Sequence, residues 1–199
     1  MTIDKDNLLD SILQSLDRIE YLKSGDIPNM DLYMDQVTTL MSKNLKASVR
    51  NSEDDKILTK TMINNYAKND LLPPPNKKKY SKEHILLLIF IYYFKGVLSI
   101  GDIQKLLKPL SEGFFDVKEG LNLTDIYEEV FAMEKEQVEN LKKDVILKFS
   151  IAEKSFEGAN EKDRKFLQIF AFICILSFDV YVKKLLIEKL IDELPSKEE

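Results

Sequence analysis

Between Leu71 and Lys95 the chain reads LLPPPNKKKYSKEHILLLIFIYYFK, a proline knot and a lysine run followed by a stretch that is apolar almost throughout. Each proline lacks a backbone donor and biases the residue before it to extended geometry, so no helix crosses Pro73 to Pro75. Ser81 is then the expected N-cap of a helix that is apolar on most of its surface and ends at Gly96. A helix of that kind has no solvent side, so the other elements must be arranged around it. This points to a packed helical core entered through a basic, extended tip.

The rest of the chain agrees. Six Gly and six Pro in 199 residues leave little room for the many turns of an all-β fold. At 44% hydrophobic and 32% charged the chain is globular, long enough for one domain or two small ones. Apolar residues recur at helical spacing from Asn7 to Leu22, among them Leu9, Ile12, Leu16, Ile19 and Tyr21. Gly25 and Pro28 stop that helix, and Asp31 is the expected cap of a second one reaching Leu45. Lys46 to Asp55 reads as a polar loop. Thr59 caps a short helix to about Asn69, with Met62, Ile63 and Tyr66 as its apolar side and Lys60, Asn64, Asn65 and Lys68 outward. Ser99 with Asp102 opens another helix, which Pro109 is expected to close. A connector, Leu110 to Gly120, leads to two long helices, 123–156 and 164–194, separated by GANEKD. The fold class is mainly all-α.

Charge is unevenly distributed. Residues 56–108 hold 10 Lys against 3 acids, whereas 1–55 and 109–199 are net acidic and the whole chain carries −5. A basic middle within an acidic protein suits a nucleic-acid-binding module, although lysines that only solvate helix faces give the same count. Cys174, the one cysteine, lies in FAFICILSF, which excludes an intrachain disulfide and suggests a core thiol. MTIDKDNLLDS has no basic region leading into an apolar run, so no secretory signal is expected. Phe166 to Val182 is interrupted by Gln168, Ser177 and Asp179 and falls short of the roughly 20 apolar residues of a span. A buried helix, a cytoplasmic protein and no membrane partner are expected.

Chemistry is thinly represented. His84 is the only histidine, so neither a His-rich metal site nor, with one Cys, a thiolate zinc cluster is expected. At the start of the core helix its expected role is structural rather than that of a triad base. No GxGxxG, GxxxxGK[ST] or HExxH occurs. Glu128, Glu129, Glu134, Glu136 and Glu139 read as a charge run on an exposed helix face. Neither an enzyme nor a cofactor is expected.

The order of pieces is a short polar helix, a proline turn, a basic tip ending Tyr-Ser, a core helix, a Gly, and a capped short helix. MINNYAKNDLLPP (Met62 to Pro74), KKYS (Lys78 to Ser81) and GVLSIGDIQKLL (Gly96 to Leu107) resemble the MerR-like winged helix-turn-helix. That family has the form T-[IL]-R-Y-Y-x-x-x-G-L-L-x-P, a wing ending R-x-Y-S, and a later helix opened by G-x-S-L-x-E-I. Tyr66, Leu71, Leu72, Tyr80 and Ile103 hold matching positions. Asn64 and Asn65 stand where that pattern has Arg and Tyr, and Asp70 stands at its turn Gly. Over most of the chain, runs such as DIPNMDLYMDQV and LTKTMINNYAK resemble an uncharacterised bacterial family, a domain of unknown function, thought to have a MerR-like N-terminal half.

The resemblance implies an N-terminal helix (1–25), a winged helix-turn-helix (26–109) and a C-terminal helical dimerisation or sensor region (110–199). The expected function is that of a DNA-binding transcriptional regulator, a homodimer on double-stranded DNA. Lys77, Lys78 and Lys79 would contact phosphates, as would Lys60 and Thr61 at the helix start, with Lys68 beside them. Asn64 and Asn65 would read base edges, since an Asn amide bonds adenine bidentately. Tyr66 and Tyr80 read as packing residues with a polar tip rather than base-stacking platforms, with Tyr80 also counted among the candidate DNA-binding positions. The 123–156 stripe is the expected dimer contact. One alternative is a protein-interaction module whose scaffold has lost DNA binding. Another is a small-ligand sensor with a pocket among Phe166, Phe170, Phe172 and Phe178.

Overall fold

The computed structural model describes residues 5–17, 22–46 and 57–195. The elements are α1 (Lys5–Asp17), a 3-10 turn (Ser24–Asp26), β1 (Leu32–Tyr33), α2 (Met34–Leu45) and α3 (Lys60–Lys68). They continue with β2 (Lys79–Tyr80), α4 (Lys82–Phe94), α5 (Ile100–Gly113), α6 (Leu123–Glu153) and α7 (Glu161–Asp192). The fold is mainly all-α, with one antiparallel sheet of two short strands. The described residues fall into two compact units: those of 20–132 together with 191 onward, and those before 20 together with 133–190.

In the larger unit α4 is the centre. Every residue from His84 to Ile91 is buried, and each large aliphatic side chain so placed contributes about 1.5–3 kcal/mol. The Ser81 amide donates to His84 Nδ1 at 3.0 Å, so a histidine does what Glu or Gln does in the usual capping box. Phe90 meets Tyr127 edge-on at 5.6 Å and lies near-parallel to Phe131 at 5.8 Å, which seats the first turns of α6 against α4. Tyr127 donates its hydroxyl proton to the Leu22 carbonyl at 2.6 Å, and the Ser24 hydroxyl donates to Glu128. Glu128 is exposed, as are Glu129 and Glu139 of the expected charge run, and it serves in addition as the acceptor for Ser24. Glu134 and Glu136 lie outside the residues whose side chains are described, as Ile19, Tyr21 and the loop 47–55 lie outside the described residues altogether.

Two boundaries differ from expectation. Asp31 does not cap α2: Leu32 and Tyr33 pair with Tyr80 and Lys79, and the Tyr33 amide donates to Gln36 Oε1 at 2.8 Å. The ladder bonds and the burial of Leu32 outweigh the extra helical turn. Pro109 does not close α5, which runs on to Gly113. Pro109 and Lys105 are both exposed, so the Lys105 carbonyl that loses its donor faces water.

The smaller unit packs Leu9, Ile12, Leu13 and Leu16 of α1 against Val145, Phe149, Ala152 and Phe172. Phe149 and Phe172 meet edge-on at 5.3 Å. Gln168, buried on α7, donates to the carbonyls of Glu153 and Ser155, closing the C-terminal end of α6. Lys148 donates to both Asp144 and Asp179 and holds the Asp179 carboxyl below its usual value. Cys174 is exposed rather than in the core, because two residues from buried Phe172 on a helix is nearly the opposite side. The same geometry divides the four aromatics of the ligand-pocket reading. Phe172 points into the core while Phe166, Phe170 and Phe178 are exposed, so they do not line one pocket. No helix among the described residues is long and apolar enough to cross a membrane.

Candidate nucleic-acid interface

Helix α3 is set by local chemistry at both ends. Thr59 is extended and its Oγ1 accepts the Met62 amide at 3.1 Å, the N-cap its position predicts. Ile63 and Tyr66 turn into the core, so Thr61, Asn64, Asn65 and Lys68 are exposed. The helix stops at Asp70, whose φ of +54° is left-handed. The Leu71 amide then bonds back to the Tyr66 carbonyl at 3.0 Å, the long bond of a Schellman motif, with Leu71 and Tyr66 both buried. Asp70 stands where the MerR-like pattern has Gly, and it takes the backbone conformation that a glycine adopts without strain.

The lysine run forms a tight turn. The Lys79 amide donates to the Asn76 carbonyl at 2.9 Å, and Lys77 and Lys78 have φ of +47° and +65°. Positive φ at both central positions is the type I′ arrangement, which Asn-Gly ordinarily supplies. Two lysines held there store about 1–2 kcal/mol each, and both side chains are exposed. Lys79 is half-buried, its Nζ 5.1 Å from the centre of the Tyr33 ring.

Tyr80, next along the strand, faces the other way. It is only 3% exposed and meets His84 edge-on at 5.5 Å, so it belongs to the core and not to the contact surface. Burial pushes the phenols of Tyr66 and Tyr80 up, keeping both protonated. Lys60 is exposed but engaged, its ammonium paired with Asp35 in the first turn of α2. Nothing local in the sequence signals that partner.

Beneath this surface His84 sits between Tyr80 and Phe115, the latter 4.7 Å away edge-on. Its Nε2 is buried without a hydrogen-bond partner. Burial lowers its pKa, while the Pro74 and Pro73 carbonyls, Glu83 and Asp116 pull it back up. Lys95, whose pKa burial also lowers, donates to the Ile57 carbonyl at 2.8 Å and fixes the segment that leads to Thr59. Of the expected contact residues, α3 therefore presents Thr61, Asn64, Asn65 and Lys68, and the turn presents Lys77 and Lys78. Lys60 is tied to a carboxylate, Lys79 lies half-buried against an aromatic ring, and Tyr80 is withdrawn.

No curated protein and no solved structure matches the chain. A family model does, over residues 22–130, a range that nearly coincides with the main segment of the larger unit and covers more than half of the chain. The chain belongs to the family described as Domain of unknown function (DUF1836).

Proposed function

We propose that the protein is a DNA-binding transcriptional regulator, with α3 as the helix that enters the major groove and the Asn76–Lys79 turn as a wing of the MerR-like kind. The observation that carries this reading is the outward face of α3, which holds Thr61, Asn64, Asn65 and Lys68 and no acid, in the same unit as a strained turn holding out Lys77 and Lys78. Such a surface suits a duplex: amides for base edges, ammonium groups for phosphates. A turn strained by roughly 2–4 kcal/mol in all is the kind of feature kept for what its side chains touch.

The test is a fluorescence-anisotropy titration of the full chain against its own promoter DNA and a scrambled duplex at two salt concentrations. The expected result is promoter-preferring binding whose affinity falls steeply with salt, by a slope of roughly −0.9 per phosphate contacted. Asn64→Ala with Asn65→Ala should remove the preference, and Lys77→Ala with Lys78→Ala should weaken both duplexes alike and flatten the slope. Absence of binding to either duplex at low salt would leave the larger unit as a protein-interaction module on the same scaffold.

A further inference from the structure

We infer that the outward side of α7 is the surface on which two copies of this chain associate, helix against helix and antiparallel, about a two-fold axis near Ile173 and Cys174. The inference rests on the apolar surface alone and holds whether or not the protein binds DNA.

Between Phe166 and Tyr181 helix α7 is apolar on both sides. One side, with Phe172 at its middle, is buried in the smaller unit. The other leaves Phe166, Phe170, Ile173, Phe178, Val180 and Tyr181 each more than half exposed. A helix that is apolar all round is ordinarily buried all round. These six side chains present on the order of 700 Å² of apolar surface, more than a monomer usually leaves open in one patch and close to the roughly 800 Å² a partner buries in a standard interface. The 123–156 stripe that the sequence suggests for dimerisation is partly used: Val145, Phe149 and Ala152 are buried within the smaller unit, while Met133, Leu141 and Phe156 are exposed.

The pattern along α7 fits a copy of itself. In an antiparallel pair centred between Ile173 and Cys174, Phe166 opposes Tyr181 of the second copy and Phe170 opposes Ser177. The pairing sets aromatic against aromatic at the ends and large against small nearer the axis. A parallel pair would instead set Phe170 against Phe170 and Ser177 against Ser177. An isologous contact of this kind closes at two copies. The net charge of −5 on the whole chain does not suit an anionic membrane.

The experiment is sedimentation equilibrium of the full chain at about 10 μM, near the usual range of modest self-association. A mass twice the 23.1 kDa of the chain is expected. Phe170→Glu with Ile173→Glu should raise the dissociation constant at least a hundredfold while the helical circular dichroism is retained. Should that variant fail to fold, wild-type protein treated with a short bismaleimide should cross-link through Cys174 into a dimer, and Cys174→Ser should abolish the product. A wild-type monomer, a dimer indifferent to the glutamates, no Cys174 cross-link, or binding of the monomer to anionic vesicles through this face would each overturn the inference.

Discussion

His84 and the Lys77–Lys78 turn are where single residues carry the most consequence. The fold holds His84 neutral and buried, with its pKa below the ordinary 6.5, whereas the unfolded chain protonates it near 6.5. The unfolded state then binds more protons between those two values, so stability is full above pH 6.5 and falls as pH drops below it toward the folded pKa. Urea unfolding at stepwise pH should show a loss of up to about 1.4 kcal/mol per unit within that window, and His84→Gln should flatten this limb. A wild-type curve level from pH 7 to 5 would contradict it. In the turn, Lys77→Asn with Lys78→Gly relieves two positive-φ lysines and should raise stability by about 1–2 kcal/mol while weakening duplex binding. Stability and binding moving in the same direction would mean that the turn is not held for its side chains.

Among the elements, α3 was the most legible in the sequence, because a cap and its acceptor lie within one turn. Thr59→Ala should lower stability by about 1 kcal/mol in thermal melts. Less legible was α2, since the strand pairing that displaces its start comes from Lys79 and Tyr80, far along the chain. That same displacement sets Asp35 opposite Lys60. If α3 meets DNA, Asp35→Asn frees the Lys60 ammonium and removes a carboxylate beside the positive end of the helix. Affinity should then rise about threefold to tenfold, in keeping with an exposed pair worth at most about 1 kcal/mol. A variant that binds no better than wild type would place Lys60 away from the phosphates.

For the whole molecule, the described residues form two units with separate cores, one around α4 and one around Val145, Phe149, Ala152 and Phe172. The second core is small. Phe172→Ala should cost about 3–5 kcal/mol, as much as such a unit has to lose. Hydrogen exchange should then quicken in α1 and in residues 137–175, with the amides of 84–91 still protected. Equal loss in both regions would mean that the units unfold as one. The smaller unit joins α1 to a segment more than a hundred residues later, a partnership no local pattern displays.

The sequence by itself determined the helical class, the central place of α4 and the capping at Thr59 and Ser99. These follow from periodicity, proline chemistry and hydrogen bonds that span three or four residues. Only the tertiary structure decided that Leu32 and Tyr33 pair with Tyr80 and Lys79, that Tyr80 turns inward, that Glu128 answers Ser24, and that Phe166, Phe170 and Phe178 of α7 are left exposed while Phe172 is buried. Each of these depends on which distant surface reaches a residue first. An apolar side chain at helical spacing is compatible with either side of a core until its neighbours have been assigned.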